Sequence, residues 1–153
     1  MAARIGLEHV FTIAARIGAP LGGAPGRNGT RRIIPITGGT IEGPRLKGRV
    51  LPGGADYELV RRDGSSAVEA HYGLEADDGT VIYIVNKGLF TAPAEVIARV
   101  DAGETVDPDA YYFRSAPVFD APEGPHQWLS DRIFVADCRF TPQEVTISVH
   151  MVT

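Results

Sequence analysis

A two-residue hydrophobic period, cut at short intervals by Asp-Gly and Gly-Gly pairs, limits what this chain can fold into. Near the C-terminus Val145, Ile147, Val149 and Met151 alternate with Thr146, Ser148 and His150. Such a period puts alternate side chains on opposite faces of a strand. In a first strand, Ile5, Leu7, His9, Phe11 and Ile13 fall on one face. Further strands are expected at about 31–42, 46–51, 56–62, 65–77, 80–87, 110–119, 128–140 and 144–152. Asp63-Gly64 and Asp78-Gly79 are dipeptides that two-residue type I′ hairpin turns favour. Only residues 93–102 break the period: Val96, Ile97 and Val100 recur at helical spacing, and Gly103 can end the turn. Residues 18–30 form a glycine- and proline-rich loop, the segment expected to move most.

About nine antiparallel strands leave two unpaired edges unless the sheet closes. The expectation is an all-β closed antiparallel barrel with one short helix, a single domain over residues 1–153, with a flattened sandwich as the alternative. A barrel of eight to ten strands has room for one small ligand.

Composition removes several functions. The 18 glycines and 11 prolines are many for a helical protein. A net charge of −4 gives no general attraction for nucleic acid or anionic lipid, so neither is an expected partner. The single cysteine, Cys138, forms neither an intrachain disulfide nor a cysteine zinc cluster, and fits a cytoplasmic protein. Glu8 and His9 interrupt the N-terminal apolar run before signal-peptide length, and no stretch approaches the ~18 apolar residues of a membrane helix. No pair among His9, His71, His126 and His150 has metal-ligand spacing, and phosphate-loop and nucleophile-elbow patterns are missing. No metal or cofactor is expected.

Register arithmetic supplies a candidate site. If both Asp-Gly loops have two residues, Asp56 faces His71 and His71 faces Asn86, while Leu74 faces Tyr83 on the other side. Asp56, His71 and Asn86 then form a row across three strands, with Glu69 diagonally near. The opposite face, with Tyr57, Tyr72 and Tyr83, is the expected core side. A carboxylate beside an imidazole is a general acid–base pair: it fixes the ring tautomer and raises its pKa. The competing reading makes the polar row the solvated face of a half-exposed sheet. Arg114, after Tyr111, Tyr112 and Phe113, is either a clamp for a carboxylate or enolate or an outward arginine lying along a tyrosine. Trp128 stacks on a ligand at a barrel mouth or plugs the barrel end. His9 is expected as a hydrogen-bonded core histidine, and Cys138 as inert packing.

Four segments in order, GGTIEGPRLKGRVLPGGADY (38–57), EAHYGLEADDGTVIYIVNKG (69–88), YYFRSAPVFDAP (111–122) and QWLSDRIFVADCRF (127–140), resemble the bacterial family labelled domain of unknown function 3237. The resemblance spans about Leu7 to Val152. It implies a closed β-barrel and carries little about activity. The family pattern falls on Gly53, Gly54, Asp56, Glu69, Tyr72, Asp78, Gly79, Gly88, Tyr112 to Arg114, Phe119, Trp128 and Leu129. It often has an arginine where this chain has His71. An arginine only binds anions, whereas a histidine also moves protons near neutral pH.

The leading functional expectation is a small cofactor-independent enzyme, of isomerase, lyase or cyclase type, doing proton-transfer chemistry on an organic metabolite. His71 is its base, Asp56 orients it, and Glu69 and Arg114 complete the catalytic set. Asn86, Tyr72, Tyr83 and Trp128 bind substrate. If the apolar face lines the lumen, His71 lies outside it, and Tyr72, Tyr83 and Arg114 become the better candidates. The alternative is a non-catalytic barrel that binds a hydrophobic small molecule. A third reading makes the outer face an interface between copies in a homo-oligomer.

Overall fold

The computed structural model describes residues 4–153. More than half of them are strand. The strands are β1 (Leu7–Ile17), β2 (Leu21–Gly22), β3 (Thr30–Glu42), β4 (Gly48–Val50), β5 (Gly54–Val60), β6 (Ser66–Ala76), β7 (Val81–Thr91), β8 (Tyr112–Asp120), β9 (Phe134–Phe140) and β10 (Glu144–Val152). One helix, α1 (Ala94–Asp101), lies between β7 and β8. All pairings are antiparallel, and β1 pairs with both β10 and β3, which closes the sheet. β4 and β5 follow each other in one position between β3 and β6, so the barrel has eight strand positions. The expected closed antiparallel barrel and single short helix are present. The additional strand is β2, which folds the 18–30 loop back onto β3.

Three local expectations are corrected. Both Asp-Gly loops contain three residues rather than two. A type I′ turn would place Asp63 and Asp78 at positive φ, a conformation that costs an aspartate energy. Instead, within these two loops, the glycines alone are left-handed, Gly64 at φ 87° and Gly79 at φ 86°. Asp63 Oδ1 accepts the Ser65 backbone N–H at 2.9 Å, and Asp78 Oδ1 accepts that of Thr80 at 3.0 Å. Each aspartate therefore closes its own turn. The extra residue shifts both registers by one. Asp56 faces Ala70 and Ala70 faces Asn86, while Ala55 faces His71 and His71 faces Val85.

The second correction is in β1, where the register shifts between His9 and Phe11. This irregularity reverses the alternation: Phe11 and Ile13 point into the core, while Leu7 and His9 are exposed. His9 is thus a surface residue, its Nε2 2.9 Å from Thr12 Oγ1. Third, the strand expected at 128–140 begins only at Phe134. A 3₁₀ turn, Gln127–Ser130, occupies its first part.

The barrel interior divides in two. At one end Phe11, Leu74, Ile82, Ile84, Phe119, Leu129 and Phe134 are almost fully buried and fill the lumen. Burying each such side chain contributes ~1.5–3 kcal/mol. At the other end Phe90, Tyr111, Phe113 and Phe140 form an aromatic group with ring centroids 5.3–6.0 Å apart, packed against α1 through Val96, Ile97 and Val100. Between these two groups the lumen is not filled.

Candidate functional site in the barrel lumen

The one-residue shift decides which side chains meet. β5 and β7 are turned over relative to β6, so Asp56 and Asn86 share the inner face with Ala70 and Tyr72. Together with Ser115 of β8 and Cys138 of β9 they line a cavity of about 60 Å³. That is room for a few water molecules or for one compact functional group. The remaining lining is apolar, and Ile17, Ile34, Val68, Phe113 and Val145 make a half-buried rim.

The polar groups in this cavity are poorly satisfied. Tyr72 and Asn86 are each 5% exposed, and the Tyr72 hydroxyl and Asn86 Oδ1 have no hydrogen-bond partner. A buried polar atom without a partner costs ~1–3 kcal/mol, so two in one cavity are unusual in a fold that has no use for them. Asp56 Oδ1 accepts one backbone N–H, from Glu69, at 3.1 Å. Burial, reinforced by the negative charge of Glu58, raises the Asp56 carboxyl from 3.8 to about 6. The Glu69 N–H and the Arg32 guanidinium oppose this rise. Burial likewise raises the Tyr72 phenol, and it pushes the Cys138 thiol up to about 11 although the Ser115 hydroxyl lies 3.3 Å away. Phenol and thiol stay protonated near neutrality, and Asp56 is the group poised to exchange a proton.

The other expected site residues lie elsewhere. His71 is on the outer face of β6, 49% exposed, with Nε2 2.8 Å from Glu69 Oε2. Its ring meets Tyr57 edge-on at 6.0 Å. The expected Asp56–His71 pairing is not formed, because the two side chains project from opposite faces of the barrel wall. Glu69 is also outside and reaches Lys87 Nζ at 3.7 Å. Arg114 is exposed, 3.4 Å from Asp137 and 5.4 Å from the Tyr112 ring centroid. It matches the alternative of an outward arginine along a tyrosine. Tyr83 is 64% exposed on the outer face. Trp128 packs on Phe134 at the filled end, with the Arg45 guanidinium 4.1 Å over its ring, and plugs that end rather than facing the cavity. The structure thus brings together Asp56, Tyr72 and Asn86, and adds Ser115, which was not foreseen.

This arrangement can be set beside known proteins. The family described as "Protein of unknown function (DUF3237)" matches residues 5–152. The chain belongs to that family. A UPF0311 protein of Rhodopseudomonas palustris is 41% identical over 145 residues, 95% of each chain. The crystal structure of a conserved protein of unknown function from Rhodopseudomonas palustris, 39% identical, superposes with a TM-score of 0.94 over 100% of both chains. An enzyme from Penicillium herquei, 18% identical, shares the fold with a TM-score of 0.71 over 100% of both chains.

A wider groove of about 560 Å³ crosses the outside of this DUF3237 barrel, lined by Leu7, Lys87, Leu89, Tyr112, Arg114 and His150 among others. Its charges are already engaged: Arg114 with Asp137 and Lys87 with Glu69. The hydrogen bonds from Thr80, helped by His126 at 2.8 Å, lower the Asp78 carboxyl to about 2. These outer groups satisfy one another, whereas Tyr72 Oη and Asn86 Oδ1 in the lumen have no partner. No helix among the described residues is long and apolar enough to cross a membrane. Among the same residues no three His, Cys, Asp or Glu side chains converge on a point where a metal ion would sit.

Proposed function

We propose that the lumen binds a small organic molecule and moves a proton on it, with Asp56 as the general base and acid. The observation that carries this reading is the pair of unpartnered polar atoms, Tyr72 Oη and Asn86 Oδ1, buried in one small cavity with a carboxyl raised to about 6. An acid–base group serves best when its pKa lies near the working pH. Asp56 would take a proton from a carbon or oxygen of the bound molecule, and the Tyr72 hydroxyl would donate to the oxygen that gains negative charge. A preorganised donor in a dry site is worth ~10²–10³ in rate. A low-dielectric wall of Ile, Val and Phe side chains strengthens both interactions. The reaction class is isomerase- or lyase-like.

The test begins with a thermal-shift screen of small carbonyl compounds. Each ligand found is then incubated with the protein in D2O, and deuterium uptake at its α-carbon is followed by NMR. Uptake that depends on Asp56 is expected. Uptake at the same rate in Asp56→Asn would end the reading. A binding barrel without catalysis is the second reading, favoured by the apolar rim. It gives ligand-dependent stabilisation with no exchange in the wild-type protein.

The wider setting is proposed on the same footing. A buried thiol with no disulfide partner suits a reducing compartment, and we assign the protein to the cytoplasm. Exposed Tyr83, Leu89, Tyr112 and Val118 on the outer face of β7 and β8 support self-association. Light scattering that gives the 16.4 kDa monomer at all concentrations would remove that part.

A further inference from the structure

We infer that the lumen selects ligands by charge: the inserted end is an uncharged oxygen group, carbonyl or hydroxyl, on an apolar body, and carboxylates are rejected at neutral pH. This rests on the reading above that the lumen is the working site.

None of the lining side chains carries a positive charge. The ionisable groups among them are Asp56, Tyr72 and Cys138, and burial holds the last two in their neutral forms. The charge that forms in the cavity is therefore negative. The titratable and charged groups facing Asp56 are Glu58 from its own strand, Arg32 from β3, Tyr72 from β6 and, across the cavity, Cys138 from β9. Arg32 cannot serve as a counter-ion for a ligand, because its Nε is bonded to Glu58 Oε1 at 2.6 Å. An anionic head would leave water, meet an ionised carboxylate and find no cation.

Hydrogen-bond complementarity narrows the choice further. The Tyr72 hydroxyl offers a donor, while Asn86 Oδ1 and the Asp56 carboxylate offer acceptors. A hydroxyl both accepts and donates, and so satisfies two of these at once. A carbonyl accepts from Tyr72 and places an α C–H toward the base. An ammonium can pair with the Asp56 carboxylate and Asn86 Oδ1, but it offers no acceptor for the Tyr72 O–H, which stays unsatisfied in the cavity. At about 60 Å³ the cavity takes the head alone, and the rim of Ile17, Ile34, Val68, Phe113 and Val145 covers an apolar body.

Four probes with one phenyl body test this: acetophenone, 1-phenylethanol, benzoate and 1-phenylethylamine. Binding of each to the full chain is measured by calorimetry at pH 7.5 and pH 5.0. At pH 7.5 the two neutral probes should bind at least about tenfold more tightly than benzoate, the scale set by like-charge contact. The gap should narrow at pH 5.0, where Asp56 (pKa about 6) takes a proton, and likewise at pH 7.5 in Asp56→Asn. Tyr72→Phe should weaken acetophenone, which locates the probe in the lumen. The inference is overturned if benzoate or the amine binds the wild type at pH 7.5 as tightly as acetophenone does. It is equally overturned if no neutral probe binds, or if Tyr72→Phe leaves acetophenone binding unchanged. Deuterium exchange separates the two levels. Tight benzoate binding with Asp56-dependent exchange removes only the charge selection. Neutral binding without exchange removes only the proton transfer.

Discussion

The two faces of the β5–β6–β7 wall carry similar residue types and put them to opposite uses. Outside, Glu69, His71 and Lys87 are exposed and paired with one another. Inside, Tyr72 and Asn86, each one residue along the same strands from His71 and Lys87, are buried with an unpartnered oxygen, beside the half-buried Asp56 of β5. Water screens the outer set, so each charge there is cheap and its pairing is worth ~0–1 kcal/mol. The inner set costs folding energy that nothing in the barrel returns. Chemistry near neutral pH needs that second condition: a group whose proton affinity the fold has moved, beside donors that are not already occupied. An imidazole next to a carboxylate looks like an acid–base pair in either place, and only its position relative to the wall distinguishes the two.

The largest effect should come from breaking the contrast at Asp56. Asp56→Asn should lower α-proton exchange by ~10²–10⁴, the usual worth of a positioned base. The outer counterpart, His71→Gln, should change exchange less than about twofold and stability by no more than ~0.5 kcal/mol. A large loss in His71→Gln with an intact Asp56 would reverse the assignment. Tyr72→Phe comes next. Removing a buried hydroxyl that has no partner should leave stability unchanged or raise it by ~1 kcal/mol in chemical denaturation, while exchange falls by ~10²–10³.

The pH dependence sharpens the same contrast. The folded pKa of Asp56 is raised from 3.8 to about 6, so the native state holds this proton more tightly than the unfolded chain does. The associated stability is fully present below about pH 4 and is lost as pH rises through about 6. At ~1.4 kcal/mol per pKa unit the total is at most about 3 kcal/mol. Asp63, Glu69 and Asp78 have lowered pKa values and act in the other direction, with stability lost as pH falls. The difference between Asp56→Asn and the wild type isolates the Asp56 part. The variant should match the wild type near pH 4 and exceed it at pH 8 in urea titrations. A variant less stable at pH 8 would mean that Asp56 is not strained by burial.

The fold was legible because strand periodicity and turn glycines are local signals. The barrel, its helix at residues 94–101 and most strand positions follow from them. Site membership was only partly legible, because facing depends on loop length to the single residue. Asp56, Tyr72 and Asn86 were each named from the sequence, yet they were put on two different faces. The signal that separates the cases was present: in Asp63-Gly64-Ser65 and Asp78-Gly79-Thr80 an aspartate precedes a residue whose N–H it can accept, which favours the three-residue loop. Ser115 carried no such signal. A small residue between Arg114 and Ala116 becomes significant only when β8 places it against Cys138.

The smallest expected effect concerns the outer pair itself. Glu69 Oε2 and His71 Nε2 are 2.8 Å apart, but both side chains are close to half exposed. Glu69 also reaches Lys87. Holding two side chains in one geometry costs conformational entropy that a screened contact barely offsets. A double-mutant cycle of Glu69→Gln and His71→Gln, measured by urea denaturation, should give a coupling below ~0.5 kcal/mol that shrinks further in 0.5 M salt, an ionic strength at which exposed charges separated by more than ~4–5 Å no longer interact appreciably. A coupling of ~2 kcal/mol, insensitive to salt, would show that the outer face holds its charges as tightly as the lumen holds Asp56. The distinction between the two faces would then have to rest on hydrogen-bond satisfaction alone.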